Sequence, residues 1–190
     1  MPDAMAHWNR DHTNFRVLLD LLDRQIDLFH RGESPDYELM YDIMFYMTHY
    51  TDLVHHPREE LAFARIDRLD SRVKQVVAEL DAQHASLKKE GDALIHALDE
   101  VINGSVIPRD AVEMPARQYV ALFRNHLERE EEMVLPLAKS LLGPRDWLVI
   151  DAEIRHIDDP LFGDHVEARY AALREQISRE ARIVAGSAVR

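Results

Sequence analysis

Six side chains stand out for what they could do together: His12, His55, Glu59, His84, His126 and Glu130. Imidazole nitrogen with carboxylate oxygen is a donor set suited to iron or manganese. Each residue falls on a stripe of otherwise apolar positions that recur at steps of three and four, so each is expected to face a helical core. Two pairs repeat one spacing, His55 with Glu59 and His126 with Glu130. Four residues apart, imidazole and carboxylate lie one above the other on the same helix face. Burying polar groups without partners costs a few kcal/mol each, and more where they are charged. Two divalent or trivalent cations would give all six groups partners at once, the carboxylates bridging and the imidazoles completing each coordination sphere.

Taken singly, each signal has a plainer reading. A lone histidine on an apolar stripe is more often a hydrogen-bonded core residue, and a lone His-x-x-x-Glu is often a surface pair. The coincidence over four stripes is what carries the metal reading. His56 with Glu60 repeats the spacing of His55 with Glu59. The His56 phase passes Phe45, His49, Asp52 and Phe63 towards Asp67 and is the more polar; the His55 phase is richer in Met, Ala and Ile. Composition therefore favours His55 and Glu59, leaving His56 behind the ligands or at the surface near Asp52. Of the eleven histidines, His7, His30, His96, His156 and His165 lie near helix ends, off a stripe or beyond the four stripes. Tyr119, two turns before His126, reads as core packing that could donate a hydrogen bond into the site.

The elements that must position these groups are four long helices. The first is expected over 4–30, with Trp8, His12, Phe15, Leu19, Leu22, Ile26 and Phe29 inward. The second is expected over 36–66, with Met44, Met47, Thr51, His55, Glu59, Ala62 and Ile66 inward, and a kink at Pro57, which cannot donate to the Leu53 carbonyl. A third is expected over 71–102, its stripe running from Val73 through His84 and Gly91 to Val101. The fourth is expected over 109–142, from Val112 through His126 and Glu130 to Met133, Leu137 and Leu141. The expected fold is all-α: an antiparallel up-down-up-down four-helix bundle over residues 1–143. A helical extension over 144–190, with helices near 147–154 and 164–183, would cap the bundle or form a homodimer contact.

Composition removes other chemistries. With no cysteine among 190 residues, disulfides, zinc-thiolate sites, iron–sulfur clusters and thiol catalysis are excluded. A net charge of −12 offers no basic face for nucleic acid. No apolar run approaches a membrane span, and the N-terminus reads as neither a basic nor an apolar signal region, so the expected location is the cytoplasm.

The motifs resemble the hemerythrin HHE cation-binding family. The likeness rests on His12, on His55-His56-Pro57-Arg58-Glu59-Glu60, on His84, and on His126-Leu127-Glu128-Arg129-Glu130-Glu131 followed by Leu135-Pro136, and covers about 4–142. The stretch Asp159-Pro160-Leu161-Phe162-Gly163 is similar to C-terminal extensions of bacterial members. The resemblance implies two iron ions, with manganese or zinc fitting the same donors. By it, His12 and His55 would serve one iron and His84 and His126 the other, while Glu59 and Glu130 and an oxo or hydroxo group bridge them. It also supports the His55 register. Oxygen carriers of the family place another histidine one turn after the third-helix ligand, where this chain has Lys88, and protonated lysine cannot ligate. The fourth helix likewise carries a four-residue glutamate spacing in place of the carriers' five-residue aspartate spacing. One imidazole fewer implies a further position for water or substrate, which favours oxygen, peroxide or nitric oxide chemistry, sensing or iron handling over simple carriage.

Three functional classes follow. A binding or sensing protein takes up its ligand stoichiometrically; a peroxidase or nitric-oxide-handling oxidoreductase turns over with a reductant; a metal-free interaction module would survive His126→Ala unchanged. Ferritin-like bundles are disfavoured, because they need Glu-x-x-His from two helices and this chain has one, Glu153 to His156, outside the four stripes.

Overall fold

A computed structural model of the chain describes residues 4–154 and 157–187, so His156 lies outside the described residues. These residues form α1 (Ala4–His30), α2 (Tyr37–Tyr50), a π-helical turn (Thr51–His55), α3 (His56–Leu69) and a 3-10 turn (Ser71–Val73). There follow α4 (Lys74–Ile102), α5 (Asp110–Met133), α6 (Leu135–Leu141), α7 (Pro144–Glu153), a second 3-10 turn (Ala168–Tyr170) and α8 (Ala171–Ser187). Among the described residues the chain is all helical. α4 packs on α5 and α2, and α1 packs on the same two, which closes a ring around a shared interior. Arg109, just before α5, donates to the Phe29 carbonyl near the end of α1 at 3.0 Å, tying those two ends together.

The α1 stripe is buried from Trp8 to Phe29, as its periodicity requires. Asp36 caps α2 by accepting from the Leu39 N–H at 2.9 Å, satisfying one of the first-turn donors. The expected second helix is interrupted. Pro57 has no N–H to give to Leu53, and the chain opens into a π turn just ahead of it: the His56 N–H bonds to the Thr51 carbonyl, five residues back. A π turn inserts one residue into the helical repeat, so Val54, His55 and His56 are all buried.

The expected fourth helix also breaks. Pro136 cannot donate, α5 ends at Met133, and the inward stripe shifts by one residue to Val134, Ala138 and Leu142. Met133, expected inward, is 38% exposed.

One apolar cluster joins Phe15, Leu22, Met44, Leu94, Tyr119 and Phe123, and another joins Trp8, Phe63, Leu80, Val134 and Ile150. Each such aliphatic or aromatic side chain contributes about 1.5–3 kcal/mol when buried. In the first cluster α2, α4 and α5 meet at Gly91, where an added Cβ would stand 2.6 Å from Thr48 Cγ2 and 3.2 Å from Tyr119 Cε2. Tyr119 packs there and on Phe123, with ring centroids 5.7 Å apart.

The last helix begins later than expected because Asp159 organises a turn. Its carboxylate accepts from the Leu161 and Phe162 N–H groups at 2.9 and 2.8 Å and from the Tyr46 hydroxyl at 3.1 Å. A Cβ on Gly163 would collide with the Asp159 carbonyl oxygen at 2.3 Å, so the turn needs glycine there. The turn drives Leu161 into the core beside Tyr170 and Leu173, and Arg24 pairs with Glu180 across the join.

Candidate metal centre

All six histidines and glutamates singled out by spacing meet between the helices, and none is more than 6% exposed. They form two groups within which the potential ligand atoms all lie within 4.8 Å of one another. One comprises His12, His55, Glu59 and Glu130, the other His56, Glu59, His84 and His126. Glu59 belongs to both. Glu130 lies 3.2 Å from His12 Nε2 through one oxygen and 3.5 Å from His126 Nε2 through the other, so it also reaches both sides.

His56 is the residue that periodicity misplaced. Expected behind the ligands or at the surface, it is 4% exposed and stacks on His84 with ring centroids 4.1 Å apart. The π turn is the cause, since it brings two consecutive residues to one face. The sequence signal for it was Pro57 placed next to a doubled histidine. Glu60, by contrast, is more than half exposed, with its Oε1 3.5 Å from His84 Nδ1. His30, His49, His96 and His165 are exposed, away from the cluster.

The outer face of the cluster follows a rule of helix geometry. A residue next to an inward one is rotated by about 100° and so points at the neighbouring helix. Asp11, beside His12 on α1, accepts from His55 Nδ1 at 3.0 Å. Glu60, beside Glu59 on α3, faces His84 on α4. Gln83, beside His84, offers its Oε1 to His126 Nδ1 on α5 at 3.1 Å. Glu131, beside Glu130 on α5, accepts from His12 Nδ1 on α1 at 2.9 Å and is gripped by both Arg16 terminal nitrogens at 2.8 and 2.7 Å. Three of these contacts are hydrogen bonds that orient a histidine of the next element around the ring, whereas His84 Nδ1 makes none. With Nδ1 turned to an outer acceptor, Nε2 is left for the interior, the arrangement that fixes metal-binding histidines.

Inside, the donors lack partners. Nε2 of His55, His56, His84 and His126, and both carboxylate oxygens of Glu59 and of Glu130, are buried without a hydrogen bond. His55 Nε2 lies 2.6 Å from Glu59 Oε1, yet the two are not aligned for one. His12 Nε2 differs, accepting from the Trp8 indole N–H at 3.0 Å. Buried polar groups are ordinarily satisfied. So many unsatisfied nitrogen and oxygen atoms facing one space fit metal cations, which would take the place of any protons they carry and meet them all.

Protonation is divided between the groups. Burial drives His56 down to about 4 and holds His126 well below the ordinary histidine range. Burial also opposes charge on His55, but Glu59 and Asp11 outweigh it and raise that group to about 9. His84 is likewise raised, by Glu59 against its burial. Burial and the charge of Glu59 push Glu130 up to about 7, whereas the surrounding imidazoles overcome burial and hold Glu59 far below the usual carboxylate range. The hydrogen bonds from His12 and Arg16 take Glu131 down to about 2.

Two imidazole-and-carboxylate groups sharing an edge, set between packed helices, define a helical cation-binding domain. The family model for the hemerythrin HHE cation binding domain matches residues 3–138, and the chain belongs to that family. No curated protein and no solved structure matches it. No described helix is long and apolar enough to cross a membrane.

Proposed function

We propose that this chain is a non-haem di-iron protein that binds or senses a small ligand, namely oxygen, peroxide or nitric oxide, at the centre its helices enclose. The observation that carries this reading is the pair of buried His/Glu groups with Glu59 in common. His12 and His55 would hold one ion, and His84 and His126 the other, with Glu59 and Glu130 reaching both. Manganese or zinc suits the same donors. In this reading the long segments run up-down-up-down, 1–143 form the bundle, 144–190 cap it, and the protein works in the cytoplasm. Iron held there would supply a redox-active Lewis acid with a position for a small ligand.

The chain's own residues do the rest. His12, His55 and His126 are fixed from behind by hydrogen bonds to Glu131, Asp11 and Gln83, so three of the donors are preorganised, while His84 has the Glu60 carboxylate 3.5 Å from its Nδ1 without a hydrogen bond. Burial of every inner group to 6% exposure or less restricts access to molecules of a few atoms. The His12 Nε2 lone pair is taken by the Trp8 indole N–H, a bond that an ion held by His12 would replace, and Phe15 packs its ring edge-on to His55 with centroids 4.7 Å apart, limiting the space beside that imidazole.

Metal analysis of protein produced with iron, combined with its optical spectrum in air, tests the reading. Two irons per chain with near-ultraviolet ligand-to-metal bands are expected, with stoichiometric, reversible uptake of nitric oxide or oxygen. A chain that acquires no metal even when titrated anaerobically with Fe2+ ends the proposal. Sustained peroxide consumption with a reductant would make it an oxidoreductase.

A further inference from the structure

We propose that His56 is a fifth imidazole ligand of the centre, on the His84–His126 side, presented by the π turn and steered by a paired Asp52 and Lys88. The inference rests on the di-iron reading and adds to its ligand set.

His56 has the position of a ligand. It groups with Glu59, His84 and His126, the potential ligand atoms within 4.8 Å of one another. Its ring lies 5.8 Å from His126 as well as against His84. A histidine buried only for packing would have both nitrogens satisfied, whereas Nε2 of His56 has no partner.

It also has the support of a ligand, from a source unlike the others. Asp52, four residues back in the π turn, sets Oδ1 3.5 Å from His56 Nδ1. The other oxygen of Asp52 lies 2.8 Å from Lys88 Nζ on α4. Lys88 stands one turn after His84 on α4, and its ammonium pins the carboxylate behind an imidazole that arrives from another element. With His56 the centre has three imidazoles on the His84 side and two on the His12 side.

The test is an anaerobic titration with Co2+ and with Fe2+, in competition with a chromophoric chelator, on the full chain and three variants. The wild type takes up two ions. His56→Ala keeps one at wild-type affinity and loses the other by a hundredfold or more. Asp52→Ala weakens that same ion by about 10- to 100-fold, and Lys88→Met does so by less. The visible Co2+ bands of the weakened ion change in intensity, which a packing role would not cause. His56→Asn serves if the alanine variant does not fold. Two ions bound by the His56 variants with wild-type affinities and unchanged Co2+ bands overturn the assignment while leaving the di-iron reading intact. A wild-type chain that takes up no ion overturns both.

Discussion

The layer around Gly91, where α2, α4 and α5 meet, and the layer around Glu59, to which α1, α3, α4 and α5 contribute, are held together by opposite means. Around Gly91, the buried side chains are Met44, Leu87, Leu94, Tyr119 and their apolar neighbours, with Thr48 bonding back to the Met44 carbonyl. About two turns away along α4, five imidazoles and two carboxylates are equally buried, and most of their inner atoms have no partner. The first layer is stable by burial itself. The second costs free energy until something binds its lone pairs. In one bundle, stability and function are thus separated along the helix axis, and only the second layer should respond to metal.

The largest effect expected is metal removal. At a free concentration a thousand times the dissociation constant, each ion adds about 4 kcal/mol, so chelation should lower the melting temperature by on the order of 10 °C per ion. Scanning calorimetry with and without chelator measures it; identical melting would mean that the Glu59 layer needs no cation.

Next is a reversal with pH. His55, raised to about 9, and His84, also raised, hold protons in the folded metal-free state that the unfolded chain releases near 6.5. Their stabilisation is complete below about 6.5 and is lost as pH rises through the raised values. Cations need the same nitrogens unprotonated, so their affinity rises over that window. Melting at pH 6 and pH 9 should show the metal-free protein weakening while the gap to the loaded protein widens. A gap of equal size at both pH values would contradict this.

The smallest of the three sharpens the contrast from the apolar side. Leu94→Ala, at a fully buried site, should cost about 2–5 kcal/mol in denaturant unfolding and leave metal stoichiometry unchanged. Loss of an ion in that variant would show the two layers to be coupled.

Particular residues show where sequence and structure divide the information. Trp8 to Phe29, and Met44 to Ile66, are buried as their periodicity requires, because a helix repeats every 3.6 residues and only a matching stripe can be enclosed. The same periodicity places His12, His55, His84 and His126 inward, with Glu59 and Glu130 beside them. It fails where prolines alter the repeat. Pro57 follows a π turn that carries His56 inward, and Pro136 turns Met133 out and Val134 in. The outer partners were not legible. Asp11, Glu60, Gln83 and Glu131 each sit beside an inward residue but serve a histidine on another helix, and which helix stands alongside is set by packing. By itself, the sequence determined helical segments whose inner faces carry imidazole and carboxylate, because periodicity is a local property of the chain. Tertiary structure alone decided that those faces converge, that His56 joins them and that Lys88 stands behind Asp52, because these are distances between elements far apart in the chain.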